Sequence, residues 1–237
     1  MGTVAEIVVG DDPQAWRSIG FAVDDDGLCR VGGTRIVLAG ATDERDRGIL
    51  GWTLAGVRVP DGGLDGLPTV AAPPPEESAA AGASPPRHRN GVVQIDHVVA
   101  FTADLDRTTA AIEAAGVAAR RTRAAGRGRL QRFFRLGEVV LELVGPEEPA
   151  GERPAAFWGL AFTVADIDAT AAELGNRVGA PKPAVQPGRR IATLRKDDTV
   201  SVPIAFMSGA PARSTVGGSA EATDAADSAG RSGDTSL

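Results

Sequence analysis

Two successive segments of the chain repeat the same order of hydrophobic and polar residues. In the first, residues 92–101 alternate and then become apolar, which predicts a strand covered on one or both faces. An apolar stripe at helical spacing follows, with Thr102 or Asp104 as the capping residue and a glycine at its end. Residues 131–144 then predict a hairpin, whereas residues 122–128 are too rich in arginine, alanine and glycine to assign.

The second segment follows the same order. Residues 160–164 predict its first strand, and Asp166 caps a helix whose apolar residues recur at helical spacing. Residues 185–186 start a short strand, and residues 189–207 form a hairpin across a polar turn. We therefore predict two repeated units, each with one strand, one helix and three further strands.

The N-terminal part of the chain predicts an abbreviated copy of this unit. Residues 4–9 form a β-branched strand, and an aspartate pair caps a short helix that has Pro13 in its first turn. Residues 28–39 form a hairpin around a Gly-Gly turn, and residues 49–59 form another strand.

These patterns predict an α+β fold in which paired βαβββ modules form a curved mixed sheet and the N-terminal copy is degenerate. The expected boundaries are 1–70 for the degenerate βαββ copy, 71–91 for a linker rich in proline and alanine, 92–209 for the paired domain, with modules at 92–146 and 156–208, and 210–237 for a disordered tail. The linker and the tail contain too few large apolar residues to form a core. We expect His88, which lies in the linker, to be an exposed loop histidine.

Composition narrows the classes of function. The 237 residues have a net charge of -6 and are 43% hydrophobic, which is typical of a soluble globular protein and does not favour a nucleic-acid partner. The chain contains no apolar run long enough to span a bilayer, so we expect a cytoplasmic protein with no membrane partner. The single cysteine, Cys29, has no partner for an intramolecular disulfide, and we expect it to be a small buried apolar residue.

One region of the chain is locally basic. Its arginines are Arg120, Arg121, Arg123, Arg127, Arg129 and Arg132. Only two of the 25 basic residues in the chain are lysines, which indicates a coding bias toward arginine rather than a chemical requirement. We interpret the cluster as a solvated loop and strand edge, with the binding of an anionic ligand as the alternative.

Alignment of the two modules without gaps pairs residues 95–106 with residues 157–168. His97 on the first strand then falls opposite Gly159. Glu142 on the last strand of the first module falls opposite Ala205. The first module therefore has two polar residues at positions where the second has none.

These features resemble the vicinal oxygen chelate superfamily, which includes glyoxalase I, extradiol dioxygenases, methylmalonyl-CoA epimerase, and the bleomycin and fosfomycin resistance proteins. The resemblance rests on the segments DHVVAFTADLDRT, FFRLGEVVLELVGP, FWGLAFTV and QPGRRIATLR, and in detail it is to actinobacterial glyoxalase-like proteins. It implies a fold more specifically than a reaction, because one fold hosts unrelated chemistries.

In the metal-dependent members that the chain resembles, the first and last strands of each module offer histidine or glutamate to a divalent ion. The resemblance therefore implies that His97 and Glu142 are the catalytic and metal-ligating residues. The ligand set is incomplete, because Gly159 and Ala205 have no coordinating side chain and three protein ligands are usual. In a simpler interpretation, Glu142 orients His97 by a hydrogen bond, and the pair serves in proton transfer or ligand binding.

A third ligand could come from another acidic residue or from a partner subunit. Asp96 is adjacent to His97 on a strand, so alternation predicts that it points to the opposite face. Glu138 lies at a hairpin turn, and Glu6 is on the first strand of the N-terminal copy.

Further candidates for contact with a ligand lie on predicted strands or beside them. They are Arg132, Phe134, Trp158, Gln186 and Arg190. Phe133 and Phe134 point to opposite faces, so one of them belongs to the core and the other could cover a ligand. For Trp158 the simpler expectation is packing where the two modules join.

Two functions from different classes fit these expectations. The first is a glyoxalase-like protein that binds a small organic molecule in the cleft of the curved sheet, as the bleomycin-resistance proteins do. The second is a metal-dependent lyase, isomerase or dioxygenase that acts on an α-oxygenated carbonyl compound through His97 and Glu142. The chain could act as a monomer or as a homodimer.

Overall fold

The computed structural model describes residues 2–41, 43–74, 86–196 and 199–209. The tail predicted at 210–237 and most of the predicted linker, residues 75–85, lie outside the described residues. In the part of the chain that the structure describes, no helix is long and apolar enough to cross a membrane.

The described residues form thirteen strands and three α-helices. The helices are α1 (Pro13–Ser18), α2 (Leu105–Ala114) and α3 (Ile167–Leu174). The strands are β1 (Thr3–Val9), β2 (Leu28–Val31), β3 (Thr34–Leu38), β4 (Ile49–Ala55), β5 (Thr69–Ala72), β6 (Val92–Phe101), β7 (Ala119–Gly126), β8 (Arg129–Leu136), β9 (Val139–Pro146), β10 (Ala156–Val164), β11 (Lys182–Pro183), β12 (Arg190–Thr193) and β13 (Ile204–Ser208).

Two βαβββ modules form one eight-stranded sheet, as predicted. Its order is β11-β12-β13-β10-β6-β9-β8-β7, so the first module contributes one half of the sheet and the second module the other half. The first strands of the two modules, β6 and β10, pair antiparallel at the centre. Within each module the first strand pairs parallel with the last, β6 with β9 and β10 with β13.

The register of these parallel pairs supports the alignment of the modules made from sequence. Val99 on β6 lies beside Glu142 on β9, and Ala161 on β10 lies beside Ala205 on β13. Since Val99 and Ala161 are equivalent in the alignment, Ala205 occupies the position of Glu142 in the second module.

The N-terminal copy forms a separate five-stranded sheet of order β2-β3-β1-β4-β5. Its first strand pairs parallel with β3 and antiparallel with β4, which is the arrangement that surrounds β6 and β10 in the larger sheet. The N-terminal sheet therefore has three strands of one module, β1 to β3, and two strands of a second, β4 and β5, which pair parallel.

The core lies between the helices and one face of the eight-stranded sheet, and the N-terminal sheet packs against the same face. Phe134 and Phe162 on that face are fully buried. The rings of Trp16 and Phe21 from the N-terminal copy contact Phe162 at centroid distances of 6.2 and 5.0 Å. Buried residues of the two sheets form one continuous hydrophobic core. Burial of aromatic rings of this kind contributes strongly to the stability of the fold.

Three predicted elements differ from the structure. Strand β7 covers most of residues 122–128, for which the sequence predicts no element. Its backbone pairs with β8, but its side chains are mostly exposed. Strand β11 lies at Lys182–Pro183 rather than at 185–186, and β13 begins only at Ile204. These short or edge strands are held by backbone pairing, so side-chain pattern predicts them poorly.

Both described ends of the predicted linker make hydrogen bonds with the N-terminal copy. Strand β5 at Thr69–Ala72 pairs with β4, although it lacks an alternating apolar pattern. At the other end His88 is 8% exposed rather than open to solvent. Its Nδ1 accepts a hydrogen bond from the Ala22 N–H at 3.0 Å, and its Nε2–H donates to the Arg30 carbonyl at 3.0 Å. Two backbone partners, which no sequence pattern indicates, explain its burial.

Cys29 is a buried free cysteine, as expected. Burial, with a smaller effect of the charge on Asp24, raises the pKa of its thiol to about 12. The thiol is therefore neutral and inert at physiological pH.

The burial of His88 predicts a stability that depends on pH near neutrality. Burial lowers the pKa of His88 below its ordinary value of 6.5, an effect that the hydrogen bond to Arg30 only partly opposes. As the pH falls below 6.5 the unfolded chain takes up a proton that the folded chain refuses, so the free energy of unfolding decreases. Urea unfolding between pH 7.5 and 5.5 should show this slope in the wild type and a flatter one in His88→Gln.

The matched control is His97→Gln, which removes the other histidine of the chain. It should retain the contribution of His88 to the slope. Equal slopes for the wild type and His88→Gln would contradict the assignment.

Candidate functional site

A β-bulge in the central strand β6 places two neighbouring side chains on one face of the sheet. His97 pairs with Ala161 and Ile95 pairs with Phe162, so Asp96 is an extra residue between two pairs. A bulge interrupts the alternation of side chains along a strand. The prediction that Asp96 points away from His97 is therefore wrong, and the carboxylate lies beside the imidazole. We call this face of the sheet, opposite the helices, the cleft face.

Two carboxylates lie on opposite sides of the His97 ring. His97 Nδ1 donates to Asp96 Oδ1 at 2.9 Å, and His97 Nε2 lies 3.6 Å from Glu142 Oε2. The side chains of Asp96, His97 and Glu142 are 15%, 14% and 12% exposed. The first contact fixes the orientation of the ring. The second is longer than a hydrogen bond, so Nε2 is left available to a ligand.

Asp96 also binds an arginine from the second module. Arg189 Nη2 lies 2.5 Å from Asp96 Oδ2, and Thr163 Oγ1 donates to the same oxygen at 2.9 Å. Burial by itself would raise the pKa of Asp96, but hydrogen bonds from His97 and Arg189 and the charge on Arg189 outweigh it. The pKa is held well below the ordinary value of 3.8, so Asp96 is a carboxylate at physiological pH.

Glu142 is held from the side of β8. The amide of Gln131 donates to Glu142 Oε1, and the guanidinium of Arg123 on β7 donates to the Gln131 side-chain oxygen. The resulting chain of contacts crosses both modules. It runs from Arg189 through Asp96, His97, Glu142 and Gln131 to Arg123.

Three of the predicted ligand-binding residues do not lie on the cleft face with these polar side chains. Arg132 donates to Asp106 and Thr109 on α2, and Phe134 is fully buried in the core. Arg190 pairs with Asp168 on α3. All three lie on the helix side of the sheet, so the prediction that they line the cleft is wrong. In each case a neighbouring residue in the sequence points to the cleft face instead: Gln131 or Phe133 next to Arg132, Phe133 next to Phe134, and Arg189 next to Arg190.

The pairing of β8 with β9 shows which residues of β8 lie on the same face as Glu142. Phe133 pairs directly with Glu142, and paired residues share a face. The guanidinium of Arg121 lies 4.9 Å from the centre of the Phe133 ring. The predicted turn at Gly137 would have given this register, so Phe133 and Gln131 could have been found from sequence. Arg189 had no such signal, because its partner Asp96 depends on the bulge.

The two remaining candidates lie at the edges of the cleft face. Trp158 is an extra residue in a second bulge of β10, is 50% exposed, and contacts the Phe101 ring at a centroid distance of 5.5 Å. Gln186 is partly exposed in the turn before β12, where its carbonyl accepts the N–H of Arg189. Roles for Trp158 and Gln186 in ligand binding remain predictions.

The residues present do not fit the divalent metal that the resemblance implies. A side chain at position 159 is excluded, because a Cβ there would lie 2.7 Å from the Pro203 carbonyl oxygen. Ala205 lies where the second module would supply a carboxylate, and Asp96 is already paired with Arg189. Among the described residues no group of three or more histidine, cysteine, aspartate or glutamate side chains could hold a metal ion.

The other acids considered as a third ligand lie elsewhere. Glu6 pairs with Arg35 at 2.9 Å within the N-terminal sheet. Glu138 lies in the turn between β8 and β9, beside Gly32. His97 Nε2 and Glu142 thus remain the available donors, fewer than the three protein ligands usual in zinc and non-haem iron sites.

Comparisons with known proteins identify the fold. A mutant of 4-hydroxymandelate synthase from Streptomyces coelicolor matches with a TM-score of 0.59 at 16% identity, over 87% of this chain and 92% of that chain. Methylmalonyl-CoA epimerase from Mycobacterium tuberculosis matches over 51% of this chain and 91% of its own, with 21% identity and a TM-score of 0.42. The Streptomyces coelicolor epimerase matches over 51% of this chain and 96% of its own, with 25% identity and a TM-score of 0.42.

Neither a protein-family model nor a curated protein sequence matches the chain. The match to the 4-hydroxymandelate synthase mutant shows that the chain has the fold of that protein, and the paired βαβββ modules of the larger sheet are those predicted from sequence.

The pairing of Asp96 predicts a pH-dependent contribution to stability. Asp96→Asn leaves Arg189 without its carboxylate, and we expect a loss of about 2–3 kcal/mol in the free energy of unfolding at pH 7. Because the folded pKa is depressed, the carboxylate stabilises the fold fully above about pH 4 and progressively less below it. Urea unfolding at pH 7, 4 and 3 should show a gap between wild type and variant that narrows in acid.

Asp168→Asn is the matched control, since it breaks an aspartate–arginine pair in which the Asp168 side chain is 67% exposed. Exposed pairs contribute little, so this variant should remain close to the wild type. Equal effects of the two substitutions, or a gap for Asp96→Asn that widens in acid, would contradict the analysis.

Proposed function

We propose that the protein binds a small organic molecule on the cleft face, with His97 and Glu142 as the polar centre of the site. The observation that supports this most directly is the 3.6 Å separation of His97 Nε2 from Glu142 Oε2. An oriented imidazole and a carboxylate at this separation can both contact one ligand hydroxyl group, which donates to the Glu142 carboxylate while its oxygen accepts from a protonated Nε2.

A cavity on the same face supplies an apolar surface. It has a volume of about 450 Å³, within the usual range for small-molecule sites, and Phe101 and Val144 are among its lining residues. Val99 lies between this cavity and the His97–Glu142 pair. A few polar groups beside an apolar surface are the usual composition of a ligand pocket.

Location and assembly are further parts of the proposal. We infer a cytoplasmic protein, a proposal supported by Cys29, which is buried as a free thiol. The ligand partner is a small molecule, and either a monomer or a homodimer is compatible with a site formed within one chain.

Binding can be tested with naphthalene derivatives, using the fluorescence of N-phenyl-1-naphthylamine as the reporter. We expect saturable one-to-one binding of this reporter and its displacement by 2-naphthol. The hydroxyl of 2-naphthol should bind between His97 Nε2 and Glu142, so His97→Gln and Glu142→Gln should each weaken its binding about fivefold, as expected for one hydrogen bond. Displacement by 2-methylnaphthalene, which lacks the hydroxyl, should not change.

Arg190→Gln on the helix side is the control and should bind both competitors as the wild type does. Absence of saturable reporter binding would refute the proposal. Equal loss of both competitors in the His97 and Glu142 variants would refute the polar role of the pair.

A second candidate function, an isomerase or lyase that moves a proton, is favoured by the contact of Asp96 with His97. The Asp96 carboxylate accepts from Nδ1–H, so Nε2 of the neutral ring has its lone pair free to take a proton from a carbon next to a carbonyl group. Glu142 lies close enough to His97 Nε2 to contact the same ligand, so its carboxylate can accept a proton from the ligand or return one to it. No step in this scheme requires the metal that the residues do not fit.

Exchange of α-hydrogens for deuterium in phenylpyruvate and hydroxyacetone, followed by proton NMR in heavy water, tests this second function. We expect exchange that persists after treatment with EDTA and decreases at least a hundredfold in His97→Gln. Glu6→Gln, which changes a carboxylate in the other sheet, should leave the rate unchanged. Loss of exchange with EDTA and its recovery with a divalent ion would instead support the metal-dependent alternative.

A further inference from the structure

We propose that the cleft is selective for organic anions, with Arg129 and Arg153 binding a carboxylate, sulfonate or phosphate group of the ligand. This inference rests on the proposed function and defines the class of ligand. The apolar body of the ligand would lie along Phe101 and Val144, and its opposite end would reach His97 and Glu142.

The parity of the strands places the cavity on the same face as the polar centre. Arg129 precedes Gln131 by two residues on β8, and Val144 follows Glu142 by two residues on β9. Side chains two residues apart on a strand share a face and are separated by about 7 Å. Arg129 and Val144 both line the cavity. Arg129 pairs with Pro146, which is four residues from Glu142 on β9, so the two positions are about 13 Å apart along the strands. The ligand and the arginine side chains together would span this distance.

Neither arginine has an acidic partner among the described residues. The guanidinium of Arg129 lies 5.8 Å from the centre of the Phe101 ring, and Arg153 lines the same cavity. By contrast, Arg107, Arg132 and Arg190 each pair with an aspartate at 2.7–2.9 Å. In a chain of net charge -6, two guanidinium groups without acidic partners beside an apolar cavity create a local preference for anions.

The loop that bears Arg153 is held from two sides. Arg107 on α2 donates to the Arg153 carbonyl at 2.9 Å and pairs with Asp65 at 2.8 Å. The Asp65 carbonyl accepts the Ala155 N–H at 2.7 Å. A fixed backbone on both sides of Arg153 reduces the entropy cost of holding its side chain over the cavity. The backbone at Arg153 is therefore fixed, and its exposed side chain lies at the rim of the cavity.

The lining of the cavity also determines what the anion is attached to. Phe101 and Val144 are joined there by Pro146, Pro154 and Ala156, which have no charged group. The half-exposed Trp158 ring lies against the edge of Phe101. An inorganic anion would leave this apolar surface in contact with water. An anion with an aromatic or branched apolar body would cover it.

Two probes with the same apolar body separate the charge from the hydrophobic contribution. They are 8-anilinonaphthalene-1-sulfonate, which has an anionic group, and N-phenyl-1-naphthylamine, which lacks one. We expect the sulfonate to bind the full-length protein more tightly than the amine, with an affinity that falls as salt increases from 50 to 300 mM. Arg129→Gln and Arg153→Gln should each weaken the sulfonate roughly tenfold and leave the amine unchanged. Arg45→Gln, which removes an exposed charge between β3 and β4 of the N-terminal copy, is the matched control.

The outcomes distinguish this inference from the function on which it rests. If the amine binds one-to-one and the sulfonate binds no more tightly, the anion site is refuted and the ligand-binding proposal stands. If neither probe binds, both are refuted. If Arg45→Gln weakens the sulfonate as much as the cleft variants do, the attraction is a general charge effect and the site is refuted. Retained amine binding in each variant also confirms that the variant is folded.

Discussion

The antiparallel pairing of β6 with β10 is the constraint on which the site depends. This pairing joins the two modules, and the bulge at Asp96 within it places two adjacent polar side chains on one face. In a regular strand Asp96 would point toward the core occupied by Phe162, where an unpaired carboxylate is strongly destabilising. The bulge instead brings it to Arg189 and His97, so one backbone irregularity determines both the electrostatics and the orientation of the imidazole.

The two modules are equivalent in backbone and opposite in chemistry. The first contributes His97 and Glu142, whereas the second contributes Gly159 and Ala205 at the equivalent positions. The difference at Gly159 is steric as well as chemical, because the Pro203 carbonyl occupies the space of a side chain. Restoring a metal ligand there would require the backbone to move. The asymmetry at these two equivalent positions, polar in the first module and without a polar side chain in the second, is therefore part of the fold.

The sequence predicted the architecture more fully than the site. Capping aspartates such as Asp104 and Asp166 and the apolar periodicity between them are local signals, and both helices begin at the next residue. The identity of the residues on the cleft face depends on the parity of each strand. A shift of one residue exchanges core and cleft, which is why the prediction names Phe134 as a ligand contact although Phe133 has that direction. The bulge at Asp96 arises from pairing with a distant strand, and no local pattern indicates it.

The incomplete N-terminal sheet supports the cleft without belonging to it. Its loop residue Asp65 binds Arg107 and the backbone next to Arg153, and it thereby positions the loop at the end of the cleft face. His88 connects the chain entering β6 to backbone groups at Ala22 and Arg30. This copy has five strands, three fewer than the complete pair of modules. Its contacts hold the loop at Arg153 and the residues that precede β6, which gives this sheet a positioning role within one shared core.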